Sequence, residues 1–169
     1  GNIPEWTIVD IAAIAAGGVG VGIYPTSSAE QCEFIIDHSD AEFVVVDALL
    51  QLDKVLEADL PKVKEIFVID SGKSKLPRGR VSTFDDLVEF GRKNRDHFLT
   101  EVEAIGSAAN PEDIAIMVYT SGTTGQPKGA MLSHQYILNS VESLRLSVPI
   151  FETDTAFSYL PGWHVADRV

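Results

Sequence analysis

Between residues 120 and 129 the chain reads Thr-Ser-Gly-Thr-Thr-Gly-Gln-Pro-Lys-Gly. Glycines at 122, 125 and 129 let backbone N–H groups come close to a ligand, because no Cβ stands in the way. Successive N–H groups in such a turn make a concavity that holds anions. The hydroxyls of Thr120, Ser121, Thr123 and Thr124 can donate to anionic oxygens, and Lys128 brings a full positive charge. Each of these components suits a polyphosphate. The stretch is not a Walker A loop, which needs glycine directly before the lysine and a hydroxyl directly after it. Here Pro127 precedes Lys128 and Gly129 follows it. Glycines 17, 18, 20 and 22 do not form a dinucleotide fingerprint either. No three of them fit GxGxxG, and they follow a helical pattern rather than a strand.

The loop needs a scaffold, and the rest of the chain reads as alternating helices and strands. Pro4 near the first turn and apolar residues at 8, 9, 11 and 14 predict a helix that Gly17-Gly18 ends. Residues 19–25, "VGVGIYP", read as a short buried strand. A capping box, either Ser27 with Glu30 or Ser28 with Gln31, opens a helix to about residue 37. The β-branched runs 42–47 and 65–70 are expected to be strands buried on both faces, with a helix over 48–58 between them. Thr83 with Asp86 caps a helix over 84–95, and a second short helix follows near Phe98. A turn at Asn110-Pro111 leads into a strand over 114–119, which runs straight into the donor-rich loop. Tyr119 is expected to pack beneath that loop, and His134, after Ser133, to sit at a helix start. This alternation predicts an α/β layered fold with a mainly parallel sheet.

Composition narrows the function classes. A length of 169 residues suits one domain with a real core. A formal net charge of −12 argues against a nucleic-acid-binding surface, which requires clustered Lys and Arg. The polar stretch 70–80 holds Lys73, Lys75, Arg78 and Arg80. It is read as a solvated surface turn in preference to a phosphate patch. Cys32 is alone, so no internal disulfide forms, and a small buried apolar role is expected. The four histidines lack zinc-ligand spacing, and no metal ligands are assigned. The opening "GNIPEW" does not look like a signal peptide, and residues 11–24 are too short and glycine-broken to span a bilayer. The expected location is cytoplasmic. Gly1 and the apolar close "HVADRV" are both read as cut ends of a longer enzyme.

The stretch "YTSGTTGQPKG" resembles the signature loop of the adenylate-forming (AMP-binding) superfamily, with Gln126 at its variable position. The resemblance extends outward. "GNIPEW" and "IYPTSSAEQ" are similar to segments before the signature in long-chain fatty acyl-CoA synthetases, and "SYLPGWHVADR" is similar to the segment after it. Gly22 departs from a common proline, Gly162-Trp163 from a small apolar pair, and Asp167 from a common glutamate. The resemblance implies a flavodoxin-like layered fold forming part of the large N-terminal domain of these enzymes. Residues 1–110 would supply an α/β subdomain portion, and 111–169 the signature loop and acyl-site segment.

The activity so implied is ATP-dependent activation of a fatty acid to acyl-adenylate, followed by transfer to coenzyme A. Thr120, Ser121, Gly122, Thr123, Thr124, Gly125 and Lys128 would bind the phosphates. Lys128 and His164 would act at the reacting groups, and His164 and Trp163 would border the acyl site. A histidine hydrogen-bonded at a helix start and a core tryptophan are the bland alternatives for those last two. Mg²⁺ would bridge phosphate oxygens, although no protein ligand for it is visible here. The partners are fatty acid, ATP and CoA, not nucleic acid. A long-chain substrate partitions into lipid and implies peripheral membrane contact, yet no basic amphipathic helix marks one. The adenine site and the mobile C-terminal domain with its lysine are expected downstream, and the isolated piece is expected to be inactive. An aryl-CoA ligase, a luciferase-like enzyme, or a non-catalytic nucleotide- or pyrophosphate-binding module are the alternatives.

Overall fold

In the computed structural model residues 3–72, 74–120, 127–149 and 151–155 are described. Their order is α1 (Pro4–Ala15), β1 (Gly20–Gly22), α2 (Ala29–His38), β2 (Phe43–Ala48), α3 (Leu49–Leu56), β3 (Glu65–Asp70), β4 (Val81–Thr83), α4 (Phe84–Lys93), α5 (Arg95–Ala108), β5 (Ile114–Thr120), β6 (Lys128–Ser133) and α6 (His134–Ser147). Three strand pairings are parallel and one antiparallel among the described residues, so the α/β fold with mainly parallel sheets is the one observed. The chain forms two compact units, one over 23–101 and one joining 1–22 to 102–169.

The first of these is built on the parallel sheet β2-β3-β4. Register places Val44 beside Ile66 and Val46 beside Val68, so four β-branched side chains tile one face. Ile66 and Val68 are fully buried there, together with Cys32 and Ile36 of α2 and Leu52 and Val55 of α3. Burial on both faces, expected from the apolar runs, does not hold. Phe43 is 58% exposed, and Val45 and Phe67 are only half-buried. Helices α2 and α3 both pack into the single cluster that holds the alternate residues, and an apolar run cannot say which face its helices will cover.

Local signals set most of the element ends. Ser28 with Gln31, not Ser27 with Glu30, forms the capping box of α2, while Ser27 is buried in the preceding turn. Thr83 and Asp86 form the box of α4. The hydroxyl and amide of Thr83 donate to the Asp86 carboxylate and hold it below the usual carboxylate range. That contribution to stability is present above the ordinary pKa of aspartate and is lost as pH falls through the lowered value. Cys32 is buried as expected, and burial pushes its thiol up, partly offset by the charge of Lys54. Lys54 itself donates to the carbonyls of Pro25 and Ser27, at 2.8 and 3.0 Å, and ties the 24–28 turn to α3.

Three elements differ from expectation. The strand over 19–25 is only Gly20–Gly22, with Val19 42% exposed. The helix near Phe98 is not short. It runs for 14 residues, since no proline interrupts it before Pro111 and Asn94 separates it from α4. Strand β4 was unforeseen, because Val-Ser-Thr is a strand only through its parallel pairing with Ile66, Phe67 and Val68.

The stretch 70–80 divides in role. Lys75 and Arg78 are exposed, as a surface turn requires, but Arg80 is half-buried. Its guanidinium donates to the carbonyls of Leu60 and Val63, at 2.6 and 3.0 Å, at the edge of the core. In the second unit α1 ends as expected at Gly17, whose φ of +76° suits glycine. A Cβ there would also come within 3.1 Å of the Ile105 side chain. No helix among the described residues is long and apolar enough to cross a membrane.

Arg80→Met should leave two carbonyls without their donor and cost about 1–3 kcal/mol. Thermal unfolding of the protein checks this, and an unchanged melting temperature would show that water replaces the guanidinium fully.

Candidate functional site

The donor-rich stretch issues from β5, the middle strand of the sheet β1-β5-β6. Its β-branched and apolar residues make it a strand, and Ala115 and Ile116 are each 1% exposed. On one side β1 runs parallel to it, pairing Gly20, Val21 and Gly22 with Ile116, Met117 and Val118. Both strands therefore end at the same edge of the sheet. That edge, beyond the carboxyl ends of parallel strands, is where open α/β sheets hold ligands.

On its other side β5 pairs antiparallel with β6, a strand the sequence did not announce. Lys-Gly-Ala-Met-Leu-Ser has little intrinsic strand preference and no clean alternation. It is extended because β5 offers it an unbroken ladder from Ile116 to Thr120, with a register shift between Ile114 and Ile116. The ladder brings Val118 opposite Ala130, Tyr119 opposite Gly129 and Thr120 opposite Lys128. Directly opposed residues in such a ladder stand roughly 4.5–5.5 Å apart at Cα.

Thr120 and Lys128 thus pair at the end of the ladder and form the base of the hairpin. Both are exposed and lie on the same face of the ribbon. Lys128 is not ion-paired to any carboxylate among the described residues. Tyr119 lies on the opposite face and is 4% exposed. Ser121, Gly122, Thr123, Thr124 and Gly125, with Trp163 and His164, lie outside the described residues.

The far end of the hairpin is anchored. Ser133 caps α6, its Oγ accepting from the Tyr136 amide at 3.2 Å. The amides of His134 and Gln135 donate to the carbonyls of Asp113 and Pro111, at 3.1 and 2.8 Å. His134 is therefore at a helix start, as its position after Ser133 predicts. The turn before β5 is itself closed by Asn110 and Asp113, with the Asn110 amide on Asp113 Oδ2 and the Glu112 amide on Asn110 Oδ1. No cluster of three His, Cys, Asp or Glu side chains is placed to bind a metal among the described residues. Thr120 and Lys128, the described residues at the hairpin base, offer Mg²⁺ no carboxylate.

The sequence profile of the AMP-binding enzyme family matches residues 1–169. The chain belongs to this family. A long-chain-fatty-acid–CoA ligase, ACSBG2, of Xenopus laevis is 37% identical over 99% of the chain, which covers 23% of that relative. The chain thus spans about a quarter of its length. Among solved structures, a putative long-chain-fatty-acid CoA ligase from Rhodopseudomonas palustris superposes with a TM-score of 0.74 at 20% identity, covering 99% of this chain and 38% of that one. The N-terminal domain of FACL13 from Mycobacterium tuberculosis gives 0.69 at 22% identity, again over 99% and 38%. The fold is therefore that of the N-terminal domains of adenylate-forming enzymes.

Ser133→Ala removes a helix cap at the anchored end and should cost about 1 kcal/mol. Lys128→Ala, at the exposed base, should change stability by less than about 0.5 kcal/mol. Thermal unfolding of both variants separates anchor from site, and a large loss in Lys128→Ala would make that lysine structural.

Proposed function

We propose that the protein is an acid–thiol ligase that activates a fatty acid with ATP and passes the acyl group to coenzyme A. One observation carries this above the rest. In a member of the AMP-binding family, 37% identical to a long-chain-fatty-acid–CoA ligase, the two ends of a donor-rich, glycine-spaced stretch stand side by side at an exposed hairpin base, with a lysine that pairs with no carboxylate among the described residues.

In the first half-reaction the fatty carboxylate attacks the α-phosphorus of ATP. An acyl-adenylate forms and pyrophosphate leaves. Charge grows on the departing phosphates, so the protein's contribution is positioning and electrostatic stabilisation. Lys128 would supply the counter-charge. Thr120, Ser121, Thr123 and Thr124, with the amides around Gly122 and Gly125, would donate hydrogen bonds to the phosphate oxygens. In the second half-reaction the coenzyme A thiolate attacks the acyl carbon and AMP departs. His164 would lie beside the acyl-adenylate and Trp163 against the acyl chain. Residues 1–110 would serve as scaffold and 111–169 would carry the site. The enzyme would work in the cytoplasm, in peripheral contact with the lipid surface that holds its substrate.

Acid-dependent exchange between ATP and pyrophosphate by the full-length protein tests this across a panel of carboxylic acids. Exchange is expected with long-chain fatty acids. Exchange with aryl acids alone would reassign the substrate, and none with any acid would remove adenylation altogether. Lys128→Ala should lower kcat/KM on the order of 10²-fold, the usual cost of removing one preorganised group that stabilises charge in a transition state.

A further inference from the structure

Gly129 faces an unusual crowd for a glycine in a strand. A Cβ at this position would meet Met117 Sδ at 3.0 Å, Tyr119 Cζ at 3.2 Å and Met117 Cγ at 3.3 Å. Backbone conformation does not demand the glycine, because the positive-φ glycines among the described residues are Gly17, Gly72 and Gly79. Space demands it. Met117 is half-buried and flexible and could swing aside, but Tyr119 is 4% exposed and has little room to yield.

Tyr119 and Gly129 are also register partners, and the next pair along the ladder is Thr120 with Lys128. An aromatic ring lying over a cross-strand glycine fills the gap that the missing side chain leaves. The register it helps hold has a direct consequence. Successive side chains in a strand point to opposite faces, and a slip of one residue moves each to the other face. With Gly129 under the Tyr119 ring, Lys128 must share the exposed face with Thr120. After a one-residue slip Lys128 would be turned toward the Tyr119 face, where the ring already stands.

We propose that Tyr119 is a positioning residue whose ring, seated over Gly129, holds the hairpin base in the one register that presents Lys128 beside Thr120. It acts through Lys128 and touches no substrate. The consequence for catalysis rests on the function proposed above, whereas the ring-on-glycine lock does not.

The test uses the full-length protein in two measurements. In ATP–pyrophosphate exchange, Gly129→Ala should raise KM for ATP about tenfold, since small misplacements of a binding group cost up to about 10²-fold, and leave KM for the fatty acid unchanged. Tyr119→Phe keeps the ring and should retain the wild-type KM for ATP. In Tyr119→Leu, which removes the ring, adding Gly129→Ala should cost less than it does in wild type, because the methyl has less to strike. An equal penalty in both backgrounds, or a KM for ATP within twofold of wild type in Gly129→Ala, overturns the proposal.

Amide hydrogen exchange over 117–133 reads the lock without activity. Faster exchange in Gly129→Ala, with Tyr119→Phe matching wild type, supports the proposal, and unchanged exchange in Gly129→Ala overturns it. If wild type shows no pyrophosphate exchange with any acid, the assigned reaction falls, and hydrogen exchange alone still decides the lock.

Discussion

Strand β5 is hydrogen-bonded along both edges, to β1 in parallel and to β6 in antiparallel fashion. The candidate site depends on that double pairing. A strand held on one side only could carry a flexible tail of glycines and hydroxyls, whose ordering entropy would oppose binding. Pairing with β6 brings the chain back, so that Thr120 and Lys128 face each other across one rung. The loop then begins and ends at two fixed points. The ladder thus bears the cost of bringing the two ends together before a ligand arrives, which is the sense in which such a site is preorganised.

The same hairpin shows how burial and exposure are divided along a single strand. Ala115, Ile116 and Tyr119 sink into the unit and secure β5, while Thr120, the next residue, is exposed. The transition from core to site takes one residue because side-chain direction alternates at every step of a strand. At the other end of the ribbon, the Ser133 cap and the amides of His134 and Gln135 bind β6 and α6 to the 110–113 turn. The hairpin is fixed at its foot and brings Thr120 and Lys128 together at its other end.

The unit over 23–101 follows a simpler logic. One block of β-branched residues from β2 and β3 meets apolar residues of α2 and α3, and polar groups stitch its rim. Lys54 and Arg80 both direct their charge at backbone carbonyls, of Pro25 and Ser27 and of Leu60 and Val63 respectively. The basic stretch around Arg80 looked like surface alone in the sequence. Nothing local distinguishes Arg80 from Arg78, since the distinction lies in carbonyls 20 and 17 residues away.

By itself the sequence determined what depends on near neighbours. The cap at Thr83, a capping box at Ser27 or Ser28, the stop at Gly17, the strands begun by β-branched runs and the donor content of the 120–129 stretch are all short-range properties of the chain. Its resemblance to a family signature was legible for the same reason, being a matter of residue types at fixed spacing. Only the tertiary structure decided which face of β2 and β3 would be buried, that Val81–Thr83 and Lys128–Ser133 would become strands, and that Gly129 would lie beneath a tyrosine ring. Each of these is set by a pairing partner and not by the residues' own propensities. A weak strand former such as Lys-Gly-Ala becomes a strand when a neighbour supplies the other half of its hydrogen bonds, and residue propensities do not register that pairing even when the neighbour is close in sequence.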